Sequence, residues 1–279
     1  MISRLLRAWQ TVWPGAVVVL ALMIMRLPST GPWALAGAVV ALYFWRRDVE
    51  HRLLLANYLA GFLAFVAVRA LADDLGSPVR LEYPIAIDRA LFGVVPTVWL
   101  QAHRAPWEDA LATGIYLSYF LLPPTALVLC WKLWPDRLPR YIRAALLLFA
   151  AALVVHIFVP TAPPWLAAAE GRLPPVTQIA YAVFGEGNAA YEMGQGISGN
   201  MVAAMPSVHL GIATLVALAL WTTPLRWLGV LYVPAMLWAV VYGGEHYVCD
   251  GLAGIGLAGV CWLLANTILT RTWPGSKSP

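Results

Sequence analysis

Three residues in this chain could do chemistry together: His209, His246 and Asp250. They stand in strongly apolar stretches, where an ionisable group costs about 2.5–3.5 kcal/mol or more at the centre of a span. In Gly243-Gly244-Glu245-His246-Tyr247-Val248-Cys249-Asp250 the His and the Asp are four positions apart. On a helix that spacing puts both side chains on one face. The carboxylate then accepts one imidazole N–H and leaves the other ring nitrogen as a nucleophile or base. Taken alone, the pair reads equally as a tie at a helix end. The second feature is Met205-Pro206-Ser207-Val208-His209. Proline suits the first turn of a helix. The free N–H groups of a helix start attract an anion such as phosphate, and Ser207 adds a hydroxyl donor.

The elements around these residues give the combination its weight. Between His209 and His246 lie 36 residues, read as two spans and a tight turn at Thr222-Thr223-Pro224. The chain leaves one face of the membrane and returns to it, so both histidines and Asp250 end at the same depth. His156 is a further ionisable residue inside a span.

Composition sets the class. Of the 279 residues, 61% are hydrophobic and only 11% charged, where soluble domains carry about 25% charged residues. Mean hydropathy is +0.72. These values exclude a disordered chain, a basic nucleic-acid-binding domain and a disulfide-rich secreted module. A polytopic membrane protein remains. The three cysteines, Cys130, Cys249 and Cys261, read as apolar fillers rather than as disulfide or metal ligands. No cofactor or nucleic-acid partner is expected, and the cysteines indicate no metal site.

Eight apolar runs approach the roughly 20 residues a spanning helix needs: about 9–26, 31–45, 53–71, 108–131, 141–159, 206–223, 225–243 and 248–270. The first resembles a signal peptide, but Trp13-Pro14 interrupts it and no small-residue cleavage site follows, so it is read as a span. The expected fold is therefore all-α, a polytopic helix bundle of about eight spans. With the N-terminus inside, 12 of the 18 basic residues fall on the inner side, including Arg46, Arg47, Arg52, Lys132, Arg137 and Arg140. That is the positive-inside distribution. Both termini are then cytoplasmic. The long connections 72–107 and 160–205, and the three chemical residues, lie on the outer side. Sixteen of the basic residues are Arg, which suggests a GC-rich genome and hence a bacterial cytoplasmic membrane. The two outer connections are rich in apolar and aromatic residues, among them Ile85, Ile87, Leu91, Trp99, Trp165 and Tyr181. They read as interfacial helices on the outer leaflet.

Pro206-Ser207-Val208-His209 and His246-Tyr247-Val248-Cys249-Asp250 resemble the second and third motifs of the type 2 phosphatidic acid phosphatase (PAP2) superfamily. The resemblance implies a six-helix core over about 53–270, preceded by an added hairpin at 1–52 and followed by a tail at 271–279. It also implies a His-His-Asp triad, with His246 as nucleophile at phosphorus, Asp250 as its orienting carboxylate and His209 as acid to the leaving oxygen. Two departures stand out. The Ser-Arg usual before the third-motif His is Ala239-Val240 here, and the first-motif region, His156 to Trp165, holds no Lys or Arg. The family's cationic phosphate clamp is therefore missing. A phosphomonoester carries nearly two negative charges and calls for buried cations; a diester carries one.

The departures, Pro163-Pro164 and Ile87-Asp88-Arg89-Ala90-Leu91-Phe92-Gly93 are similar to the inositolphosphotransferase branch, which includes the inositol phosphorylceramide synthases. The expected function is transfer of a phospho-alcohol head group, with phosphoinositol as the candidate, from a phospholipid donor to a hydroxyl-bearing acceptor through a phosphohistidine. The rival enzyme is a lipid phosphate phosphatase. A transporter with a histidine relay is the rival from another class. Candidates to contact the substrate are Ser207, His156, Asn200, Tyr247, Arg69 and Asp73, with Glu192, Gln195 and Ser198 as possible polyol binders and Arg80, Arg89 and Arg172 as substitute cations.

Overall fold

A computed structural model describes residues 49–71, 77–182 and 202–272. The first two expected spans lie outside these residues, as do Asp73, Glu192, Gln195, Ser198 and Asn200. In chain order the helices are α1 (Val49–Leu71), α2 (Glu82–Phe92), α3 (Pro96–Gln101), α4 (Pro106–Ser118), α5 (Leu122–Leu133), α6 (Leu138–Phe158), α7 (Pro164–Ala169), α8 (Ile179–Ala182), α9 (Val208–Leu220), α10 (Arg226–Tyr242) and α11 (Val248–Thr272).

The fold is all-helical among the described residues, apart from two isolated bridges between loops. Two segments, Pro135–Phe158 and Val248–Asn266, are long and apolar enough to cross a bilayer alone. Helices α4 and α5 qualify together, bent by 45° at a short break. The break has a cause. Pro123 and Pro124 open α5, and neither offers an N–H to carry a continuous helix across Tyr119–Leu121. Leu54–Arg69, α9 and α10 are apolar but shorter. With 13 residues, α9 reaches only about 20 Å, less than the bilayer core.

Helix α9 is the central element. It is apolar on every side and thus has no face suited to water. Leu210, Ile212, Leu215, Val216, Ala219 and Leu220 are all buried. Helices α11, α10, α6 and α5 surround it, and α1 lies against α6. In lipid such packing relies on close van der Waals fit and small residues at the crossings. A Cβ on Gly229 would stand 2.7 Å from the Ala217 Cα. One on Gly254 would strike the Ser207 carbonyl oxygen. Gly254 thereby lets α11 approach the very start of α9, where the Ser207 N–H donates to the Asp250 carbonyl at 3.0 Å.

At one end of the bundle the loops are stitched together. Thr161 pairs in parallel with Arg80 on one side and Ala203 on the other. Arg80 N–H donates to Pro160 at 2.8 Å and Thr161 N–H to Val202 at 2.6 Å. The connection between α1 and α4 is helical as expected. Ile87, Leu91, Phe92 and Trp99 are exposed, the pattern of a helix lying on an interface. Ile85 and Val95, however, turn inward into a cluster with Ala167, Leu173 and Tyr247. In the second connection Tyr181 is likewise buried rather than an exposed anchor.

Candidate active site

The ends of five helices meet at this end of the bundle. The C-terminal turn of α1 brings Arg69 and that of α6 brings His156. The start of α9 carries His209, and the turn between α10 and α11 carries His246. Two sequence expectations are corrected here. Pro206 lies outside the first turn of α9, because Ser207 is the N-cap and accepts from the Leu210 N–H at 3.4 Å. His246 lies in the turn before α11 rather than on a shared helix face with Asp250. Gly244 makes that turn, with φ of 79°. A side chain there would be strained and would meet the Thr177 carbonyl at 2.9 Å. The Val240 carbonyl accepts from both the Glu245 and His246 N–H groups, at 3.0 and 3.2 Å.

The three residues come together. His246 Nδ1 faces Asp250 Oδ2 at 3.5 Å, and His246 Nε2 faces His209 Nδ1 at 3.3 Å. The first distance is longer than an ordinary hydrogen bond. Such contacts tighten when the imidazole gains charge. The Tyr247 N–H donates to the same Asp250 oxygen at 2.9 Å and fixes the carboxylate. In the tautomer that carries its proton on Nδ1, toward Asp250, the Nε2 lone pair faces His209. Burial, aided by the charge of Arg69, pushes His246 down to about 3 against a backbone hydrogen bond with Ala204. Its imidazole is therefore neutral at neutral pH. The His209 ring is flanked by Tyr119 and Tyr116, with centroids 4.4 and 5.1 Å away. The bend between α4 and α5 is what delivers Tyr119 there.

The other candidates divide. His156 is buried, and its Nε2 lies 3.3 Å from the Pro206 carbonyl, so it supports the Pro206–His209 segment from behind. Tyr247 is fully buried in the apolar cluster under α2 and acts through its backbone N–H. This placement argues against direct contact of its ring with substrate. Arg69 is the cation whose charge acts on His156, His209, His246 and Glu245. Arg80, Arg89 and Arg172 are exposed, and Arg172 pairs with Glu82 at 3.3 Å. Asp73 and Asn200 lie outside the described residues. Ala239 and Val240, which replace the usual Ser-Arg, are buried core residues. The three cysteines are buried free thiols.

Two residues went unnoticed among the sequence candidates. Asp88 is fully buried on α2 and caps α11 from a distance. Its two oxygens accept from the Val248 and Cys249 N–H groups, each at 2.9 Å. It holds the helix that bears Asp250 by satisfying free N–H groups at its start. Glu245 is the chain neighbour of His246. An acidic residue in an otherwise apolar stretch was the available signal.

The family model described as the PAP2 superfamily matches residues 85–264. This is well over half of the chain, and the chain belongs to the PAP2 superfamily. With helices apolar enough to span a bilayer, it takes its place among integral membrane enzymes that act on phospholipids. It is similar to a phosphoinositol dihydroceramide synthase of Bacteroides thetaiotaomicron, 26% identical over 257 residues, covering 77% of this chain and 83% of that protein. No solved structure matches the chain.

Proposed function

We propose that the chain is a lipid phosphotransferase that moves a phospho-alcohol head group from a phospholipid donor to a hydroxyl acceptor. The observation that carries this is the line Asp250–His246–His209, with contacts of 3.5 and 3.3 Å. His246 Nε2 attacks phosphorus and the P–O bond to the diacylglycerol breaks. His209 gives the leaving oxygen its proton, and a phosphohistidine forms. His209 then takes the proton of the acceptor hydroxyl as that oxygen displaces the histidine. Phosphoryl transfer is chiefly positioning and charge stabilisation. Arg69 and the N–H groups at the start of α9 would supply it.

The scarcity of cations favours a diester over a monoester. So does the similarity to a relative named as a phosphoinositol synthase. Purified protein in mixed micelles should transfer the head group from phosphatidylinositol to a ceramide-type or other lipid alcohol, with little phosphate released from phosphatidic acid. Rapid phosphate release with no transfer from any diester would make the chain a lipid phosphatase instead.

The same reading places eight spans in a bacterial cytoplasmic membrane, both termini inside, with the site at the outer leaflet. Glu170 is exposed on the second outer connection. A Glu170→Cys substitution in protein lacking Cys130, Cys249 and Cys261 should react with a membrane-impermeant maleimide on intact cells. Reaction only after permeabilisation reverses the orientation.

A further inference from the structure

Beside the triad lies a second polar group of residues that the transfer chemistry does not use. Glu245 Oε2 accepts from Gln178 Nε2 at 3.3 Å. Its Oε1 is shut off from solvent and has no hydrogen-bond partner among the described residues. Buried carboxylate oxygens are normally satisfied, so an open one next to the nucleophile fits a ligand that donates a hydrogen there. Three neighbours tie Glu245 to the site. Tyr116 packs on the His209 ring, shares a hydrogen bond with Tyr181, and feels the charge of Glu245. Arg69 acts on Glu245 and on both triad histidines. Gln178 belongs to the loop held against the turn of His246, through the Ile179 N–H to Gly243 carbonyl bond of 3.1 Å.

We propose that Glu245 and Gln178 bind the hydroxyls of the alcohol that stays on the transferred phosphate, making the enzyme selective for polyol head groups. This rests on the phosphotransferase reading and deepens it. During transfer the retained alcohol hangs from the phosphorus bonded to His246, so the adjacent residue is placed to read it. A carboxylate would also attract an ammonium head group, but the positive charge of Arg69 opposes one. Burial raises the Glu245 carboxyl to about 7, against the pull of Gln178 and Arg69. Near neutral pH the group both accepts and donates, as a hydroxyl does.

The test uses purified full-length protein in mixed micelles with phosphatidylinositol, phosphatidylglycerol, phosphatidylethanolamine and phosphatidylcholine as donors. The wild type should favour the two polyol donors in kcat/KM by about tenfold or more, since a site built to pair hydroxyls rejects analogues lacking them. Glu245→Gln should cut that ratio by about tenfold, chiefly through KM, and Gln178→Leu should cut it in the same direction. Equal losses on all four donors, or transfer with the ratio unchanged, would overturn the inference and leave the transferase reading standing. A wild-type preference for the ethanolamine or choline donor, lost in Glu245→Gln, would overturn it in favour of a cationic head group. No transfer from any diester would remove the transferase reading, and this inference with it.

Discussion

His246→Ala should abolish both the covalent intermediate and the product, a loss of about a thousandfold or more, because no other group replaces an enzyme's nucleophile. The geometry singles out this ring. Its Nδ1 faces the buried carboxylate of Asp250, and its Nε2 faces the only other triad member, His209, at 3.3 Å. His209 is itself closed in between Tyr116 and Tyr119. Asp250→Asn keeps the shape and still accepts the Tyr247 N–H. It loses the negative charge that steadies the imidazolium as the P–N bond forms. A drop of about a hundredfold or more in the first step is expected. Single-turnover phosphorylation with a labelled donor measures both variants. Product formation by His246→Ala within tenfold of the wild type would show that another group attacks phosphorus.

His209→Ala separates the two halves of the reaction. With a natural lipid donor it should slow both, since the proposed mechanism has His209 protonate the first leaving oxygen and deprotonate the incoming hydroxyl. A nitrophenyl phosphodiester needs no proton on departure and should restore phosphorylation of His246 selectively. The adduct should then accumulate, because the second step still lacks its base. His209→Gln, which fills more of the space between the two tyrosines, should behave alike and guards against collapse of the site. Intact-protein mass spectrometry after incubation with the activated donor is the measurement. An adduct on His246→Ala protein, or none on folded His209→Ala and His209→Gln, would refute the division of roles.

Much of this was legible before any coordinates. Helices α1, α4 with α5, α6, α9, α10 and α11 follow the apolar runs, with ends displaced where a cap intervenes. Ser207 starts α9 two residues later than the run suggested, and Pro123-Pro124 split one expected span into α4 and α5. The pairing of His246 with Asp250 was expected from a helical spacing that the chain does not adopt there. A left-handed turn at Gly244 and the Val240 carbonyl bring the ring to the carboxylate instead. Tyr247 shows the opposite failure. In a turn no periodicity says which of two neighbours faces the site. Here Tyr247 went into the apolar cluster under α2, while Glu245 was left beside the triad.

The sequence by itself determined the membrane class, the identity and order of the candidate chemical residues, and the common end of the bundle at which they emerge. Those are properties of local hydropathy and chain direction, and neither needs a partner from elsewhere in the chain. The distances were decided only by the tertiary structure. Arg69 comes from α1, His156 from α6 and Asp88 from α2, and no spacing rule relates them to His209 or His246. The close crossing of α11 over the start of α9 sets Asp250 beside Ser207, and it is possible because Gly254 has no side chain to meet the Ser207 carbonyl. The buried N–H groups that open α11 also needed an acceptor, and Asp88 supplied it.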